Sequence, residues 1–195
     1  MRLKTLLVIA AFALFVSLAP VTFAQNLVTN GSFETGDFTG WNQTGLEEVV
    51  SGPFAYYNSA QDGAFYSVWG NVGSDGSISQ SFADTAGQSY TFSFWFAANG
   101  DNPSDFSAYW NGTQLLSLTN PTTGAVWTEY TFSGLIGTGN DTITFNGGDD
   151  PSWMALDNIS VTAQTGGTVP EPSSLLLLGS GVLGLGGVIR RKLYR

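Results

Sequence analysis

The chain contains no cysteine and no histidine. It therefore has no disulfide, no thiol nucleophile and no imidazole acid or base, and it lacks the usual nitrogen and sulfur ligands of zinc. Lysine and arginine are missing from its whole middle: all six basic residues lie at Arg2, Lys4, Arg190, Arg191, Lys192 and Arg195. Without a central lysine there is no Schiff-base chemistry. Carboxylates, serine, threonine and tyrosine remain, a repertoire that still permits glycoside hydrolysis by an Asp/Glu pair.

The missing cations also decide what the middle can bind. Of the 15 acidic residues only Glu171 lies with the basic ones, so residues 25–168 carry a formal charge of −14. A surface without cations cannot neutralise phosphates, which excludes nucleic acid, and it repels anionic polysaccharide and lipid. Side-chain ion pairs cannot form within it either. Distance, salt or bound divalent cations are the remaining ways to relieve the repulsion, and calcium is the physical expectation.

Long apolar runs occur only at the two ends. Met1 to Lys4 carries two positive charges, Thr5 to Leu18 is almost wholly apolar, and Thr22-Phe23-Ala24 places a small residue before Gln25. Residues 1–24 therefore read as a secretory signal peptide. Residues 25–168 suit one domain large enough to bury a core.

At the other end, Val-Pro-Glu-Pro-Ser-Ser leads into an uncharged run from Leu175 to Ile189, followed by Arg190-Arg191-Lys192. A bilayer core asks for about 20 helical residues and tolerates ~17, so this run spans only marginally. Its five glycines weaken a helix further, and Pro170 and Pro172 disfavour one just upstream. The basic cluster keeps its own end cytoplasmic, which puts the domain on the opposite side. Pro170, Glu171 and Pro172, the short transmembrane helix and the Arg190, Arg191, Lys192 end together resemble the PEP-CTERM sorting signal of exported bacterial proteins. That resemblance implies transient anchoring in the inner membrane and recognition and removal by a membrane-embedded sorting protease, the exosortase. The destination would be the cell surface or extracellular matrix. An ordinary C-terminal membrane anchor is the alternative, disfavoured by the run's shortness and glycines.

Between the ends the pattern is all-β. Tyr90 to Phe96 alternates with period two, as do Phe106 to Trp110, Val126 to Phe132 and Thr142 to Phe145. Further strands are expected at 26–33, 47–50, 64–69, 77–82, 114–117 and 153–161. Asn111-Gly112 is a two-residue hairpin signal. About ten short strands with close turn signals indicate a jelly-roll β-sandwich.

The domain's ends carry a second resemblance. Asn26 to Glu34 with Gly40-Trp41, and Leu156 to Val161, are similar to the opening and closing strands of carbohydrate-binding-module-like (galactose-binding-like) jelly rolls. The resemblance implies a structural Ca2+ held between those strands, which assigns Glu34 and Asp157 as ligands. A solvated turn carboxylate and an exposed strand residue are the plainer readings of the same two positions. Asp101-Asn-Pro-Ser-Asp105 and Gly148-Asp-Asp-Pro151 also gather oxygens that suit a hard cation, and both are equally good turn sequences.

The last candidates are aromatic. If Tyr90, Phe92, Phe94 and Phe96 share the buried face of their strand, Trp95 stands on the other one. The same alternation puts Tyr109 and Trp127 on polar faces, with Glu129 beside Trp127. Flat rings next to hydroxyl and carboxylate groups suit a neutral polysaccharide. Burial under loops, or a one-residue slip in register, explains the rings equally well. Three functions stay open: a non-catalytic glycan-binding or matrix-associated domain, a carboxylate-based glycosidase with Glu129 as one member, and a structural surface protein.

Overall fold

The computed structural model describes residues 25–164, so the signal-peptide and sorting-tail expectations lie outside the described residues. Ten antiparallel strands form two five-stranded sheets. They are β1 Asn42–Thr44, β2 Glu47–Ser51, β3 Phe65–Trp69, β4 Gly76–Ala83, β5 Ser89–Ala97, β6 Ser104–Trp110, β7 Thr113–Thr119, β8 Thr128–Ile136, β9 Asn140–Asp149 and β10 Met154–Ala163. One sheet has the order β1-β4-β9-β6-β7 and the other β2-β3-β10-β5-β8. Chain neighbours thus often sit in different sheets, as a jelly roll requires. No helix among the described residues is long and apolar enough to cross a membrane.

Alternation builds the core directly. Tyr90, Phe92, Phe94 and Phe96 of β5 face inward and are buried, against Phe106 and Trp110 of β6 and Ile143 and Phe145 of β9. Phe94 alone has ring neighbours at Phe92, Phe106, Tyr130, Phe132 and Phe145, with the Phe145 centroid 4.9 Å away at an 87° tilt. Edge-to-face pairs of this kind add to the stabilisation from burial. A smaller cluster of Tyr57, Tyr66, Val68, Ala97 and Ala155 sits on the outer face of the second sheet. The 52–63 segment supplies Phe54, Tyr57 and Ala60 to it.

The strand expected at 26–33 does not form. Asn26 makes a single bridge to Thr162, and the chain then turns, with positive φ at Asn30 and Phe33. Main-chain bonds to β10 are few, Leu27 N–H to the Val161 C=O and Ile159 N–H to the Gly31 C=O, and side chains supply others. The Gln80 carboxamide brackets Thr29, accepting from its N–H at 2.7 Å and donating to its C=O at 2.9 Å. Asn26 in turn accepts from the Val161 N–H and donates to the Ile159 C=O. Gly31 is required here, because a Cβ would run into the Ile159 carbonyl oxygen. Strand boundaries shift as well, β8 beginning at Thr128 rather than Val126 and β9 extending over Asn140–Asp149, and the short strand β1 is additional.

Candidate functional site

The outer face of β10, β5 and β8 is a regular grid. Register pairs Asp157 with Trp95 and Trp95 with Glu129; the next row is Ser160, Ser93 and Thr131, and the third is Thr162, Thr91 and Ser133. Residues directly opposite on antiparallel strands share a face, so one tryptophan heads two rows of hydroxyls. Trp95 is half-buried and Glu129 exposed. The bulge between Asp157 and Ser160, with Asn158 at φ 47°, turns Leu156 and Ile159 inward while keeping Asp157 and Ser160 outward.

The other two aromatic candidates do not join this platform. Tyr109 is half-buried on β6 of the opposite sheet, where it pairs with Gln114 and Thr144, so the sandwich separates it from Trp95. Alternation assigns a face but not a sheet, and the crossover between β5 and β6 separates the two. Trp127 lies on the outer face with Trp95, but packed beneath the 52–63 loop. Its ring meets Tyr66 at 5.8 Å and 90° and Tyr57 at 6.2 Å, and its Nε1–H donates to the Ser59 C=O. It is a packing residue of the satellite cluster.

Glu34 and Asp157 converge on a single loop from two sides. Asp157 is fully buried; its Oδ2 accepts from the Gln61 and Asp62 N–H groups and its Oδ1 from that of Asn158. Glu34 is exposed, and its Oε1 accepts from the N–H groups of Ala64 and Phe65, both at 2.8 Å. The two carboxylates clamp residues 61–65. Burial is the main cause that raises the Asp157 carboxyl to about 7, with the Asp62 charge adding and the three N–H donors opposing. The donors here are all oxygen, which suits a hard dication, and a carboxylate has about four lone-pair sites, of which these bonds use three on Asp157 and two on Glu34.

The same row geometry weighs against Glu129 as a catalytic acid. Asp157 and Glu129 flank Trp95 two strand spacings apart, about 10 Å, close to the separation of carboxylates in inverting glycosidases. Asp157, however, is sealed beneath the 61–62 backbone it binds and offers no oxygen to a substrate on that face.

A cleft built from distant segments is not legible in the sequence. A cavity of about 450 Å³ opens at one end of the sandwich, lined by Asn71, Asp75, Asn102, Asp105, Asn120 and Asp150 among others, with no aromatic ring in its wall. Burial, followed by the neighbouring Asp75, raises the Asp105 carboxyl. The sequence shows Asp75-Gly76 as a turn and Asp105 as part of an oxygen-rich 101–105 stretch; their meeting depends on the β4-β9-β6 order. Among the described residues no three acidic side chains converge as a metal cluster.

The comparisons with known proteins agree with this architecture. The PEP-CTERM protein-sorting motif matches residues 168–192. No curated protein matches the sequence. Among solved structures, the fold is similar to TmCBM61, solved in complex with beta-1,4-galactotriose, at 21% identity and TM-score 0.59 over 72% of this chain and 100% of that one. It is similar to the K1 cleaved adhesin domain of Lys-gingipain from Porphyromonas gingivalis W83, at 16% identity and TM-score 0.54 over 68% and 96% of the two chains. The CBM22-1 xylan-binding domain from Paenibacillus barcinonensis shares 16% identity at TM-score 0.50, over 74% and 97%. The fold is therefore the jelly roll found in carbohydrate-binding modules. The chain carries a PEP-CTERM sorting signal and is an exported protein.

Proposed function

We propose that this exported domain is a non-catalytic module that binds a neutral polysaccharide through the outer face of β10, β5 and β8. The observation that carries the reading is the grid itself: Trp95 heads two rows of three hydroxyls, with Glu129 at its side. A sugar ring stacked on Trp95 meets an apolar surface, and the following rings of the same chain meet Ser93, Thr131, Thr91 and Ser133 as donors and acceptors. Glu129 accepts from sugar hydroxyls without requiring charge on the ligand. The formal charge of −14 over residues 25–168 selects against acidic glycans. The carbohydrate-binding modules of the same fold support the class of ligand, and the sorting signal supports a role at the cell surface or in its matrix.

Retention of the full chain on insoluble neutral polysaccharides tests this. Trp95→Ala should weaken retention by about 1 to 3 kcal/mol, roughly fivefold to 150-fold, and leave the melting temperature almost unchanged. Trp127→Ala should do the reverse, because its ring packs against both Tyr57 and Tyr66. Equal binding by wild type and Trp95→Ala would remove the platform from the argument.

A second reading rests on the cleft. Asp75, Asp105 and Asp150 line a concave wall, and Asp105 has a raised pKa as a glycosidic general acid requires. Release of reducing ends from a neutral glycan, abolished in Asp105→Asn, would establish a glycosidase instead. The sorting signal makes its own prediction: intact-mass measurement on the native protein should find a species lacking the segment after about Ser173, as exosortase processing implies. Detection solely of chains ending at Arg195 would refute the removal.

We further propose that a calcium ion shares the Glu34 and Asp157 clamp. The all-oxygen donors support it, as does the lack of any lysine, arginine or histidine among the described residues to balance a buried carboxylate. The ion would supply structural cross-linking between the N-terminal segment and β10. Glu34 and Asp157 position the 61–65 loop in any case.

A further inference from the structure

Asp149 is the group the fold accounts for least. It closes β9 on the interior side, where 141, 143, 145, 147 and 149 all face inward, and it pairs in register with Ser104 of β6. Its exposure is 1%, and neither carboxylate oxygen has a hydrogen-bond partner. Its backbone N–H is used elsewhere, donating to the Asn71 C=O. Buried carboxylates are normally paired, hydrogen-bonded or metal-bound, and this one is neither of the first two.

The surroundings are unusually polar for a sandwich interior. Asn71, Ser104 and Ser152 are buried at the same end. Asp101 lies close enough for its charge, after burial and before that of Asp150, to help lift the Asp149 carboxyl to about 6. The Asn99 Nδ2 group donates to Asp101 Oδ2 at 2.6 Å and to Ser152 Oγ at 3.2 Å, tying the 99–104 and 149–152 segments together. Protonation does not resolve the problem, because a carboxylic acid proton needs an acceptor and neither oxygen has a partner. No cationic side chain exists between residues 25 and 164 to supply a counter-charge. A hard cation satisfies both oxygens at once. Calcium accepts six to eight oxygens in irregular geometry and mixes carboxylates with amide, hydroxyl and carbonyl oxygens, so it does not need a third acid.

We propose that Asp149 and Asp101 hold a calcium ion at the buried end of β9, completed by neutral oxygens of the 99–104 and 149–152 segments. Asn102, Pro103, Ser104 and Asp150 line the cleft, so this ion fixes the loops that wall it. The site uses none of the residues of the Glu34 and Asp157 clamp and does not depend on the glycan reading.

The test uses the full chain in detergent, stripped with chelator and then titrated with calcium while thermal unfolding is followed. Terbium, read by luminescence sensitised through nearby rings such as Tyr57, is the second probe. In the Glu34→Gln/Asp157→Asn background, calcium should still raise the melting temperature, and terbium should still bind. Adding Asp149→Asn should abolish both responses, while leaving the metal-free protein as stable as its parent or more so, since it removes an uncompensated buried charge at nearly constant shape. Asp101→Asn, at a half-buried position, should weaken calcium binding at least tenfold and serves if Asp149→Asn fails to fold. Unchanged calcium and terbium binding in either single addition overturns the site. So does an equal thermal shift from sodium at the same ionic strength, which would reduce the effect to screening.

Discussion

Phe94→Ala should destabilise this domain by about 3 to 5 kcal/mol, the range for removing a large buried aromatic side chain. For a domain of this size that lowers the melting temperature by roughly 10 °C or more. The reason is the concentration of the core on one strand. Phe94 is fully buried and touches rings from β5, β6, β8 and β9, so its loss opens a space bounded by both sheets. Few other terms can compensate. There is no disulfide and, among the described residues, no lysine, arginine or histidine for an ion pair. Total stabilities of about 5 to 15 kcal/mol are ordinary, so one such change consumes much of the margin. Phe94→Leu, which refills most of the volume, should cost markedly less. Urea unfolding of both variants checks this, and a Phe94→Ala loss below about 1 kcal/mol would mean that the two sheets do not share the core described.

The contrast between Phe94 and its neighbour Trp95 shows what a sequence can reveal. Strict alternation from Tyr90 to Phe96 dictates two faces, and the mass of rings on one of them decides which is buried. That logic works along one strand. It cannot say which strands lie beside it, so Tyr109 and Trp95 look like companions although the sheets place them on opposite sides. It also cannot see a loop folding over a strand, which is why Trp127 looks free while packing under residues 52–63.

The placement of carboxylates is less legible in the sequence than that of rings. Gly148-Asp-Asp-Pro151 has the composition of an open turn, yet β9 runs on to Asp149 and turns that side chain inward. Asp157 follows Leu156 in an apparently simple alternation, and the bulge at Asn158 resets the phase just beyond it. In the segment after Asn26, the side chains of Asn26 and Gln80 supplement sparse main-chain pairing, which strand propensity does not register. The cleft escapes for the same reason as the sheet order: its walls come from segments around residues 71–75, 102–105, 119–120 and 148–150.

Calcium bound at the Glu34 and Asp157 clamp should raise the melting temperature of the protein, and the Asp149→Asn background isolates that effect. An ion that binds only the folded state stabilises it by mass action, about 2.7 kcal/mol when free calcium is roughly 100 times the dissociation constant. That corresponds to several degrees for a domain of this length. The two carboxylates separate the ion's contribution from their own. Asp157→Ala leaves three backbone N–H groups, those of Gln61, Asp62 and Asn158, without their acceptor, and should destabilise the protein by several kcal/mol whether or not calcium is present. Asp157→Asn keeps one acceptor oxygen at nearly the same shape and removes the charge. It should cost less in chelator but lose the calcium response. Glu34→Gln, on an exposed side chain that keeps an oxygen facing Ala64 and Phe65, should change the chelated protein little and weaken the response to calcium. Magnesium, which requires a tight octahedral shell, should produce a much smaller shift than calcium at this clamp. If Asp157→Asn and Glu34→Gln retain the full calcium-specific shift in the Asp149→Asn background, the clamp acts through the backbone alone and the ion does not bind there.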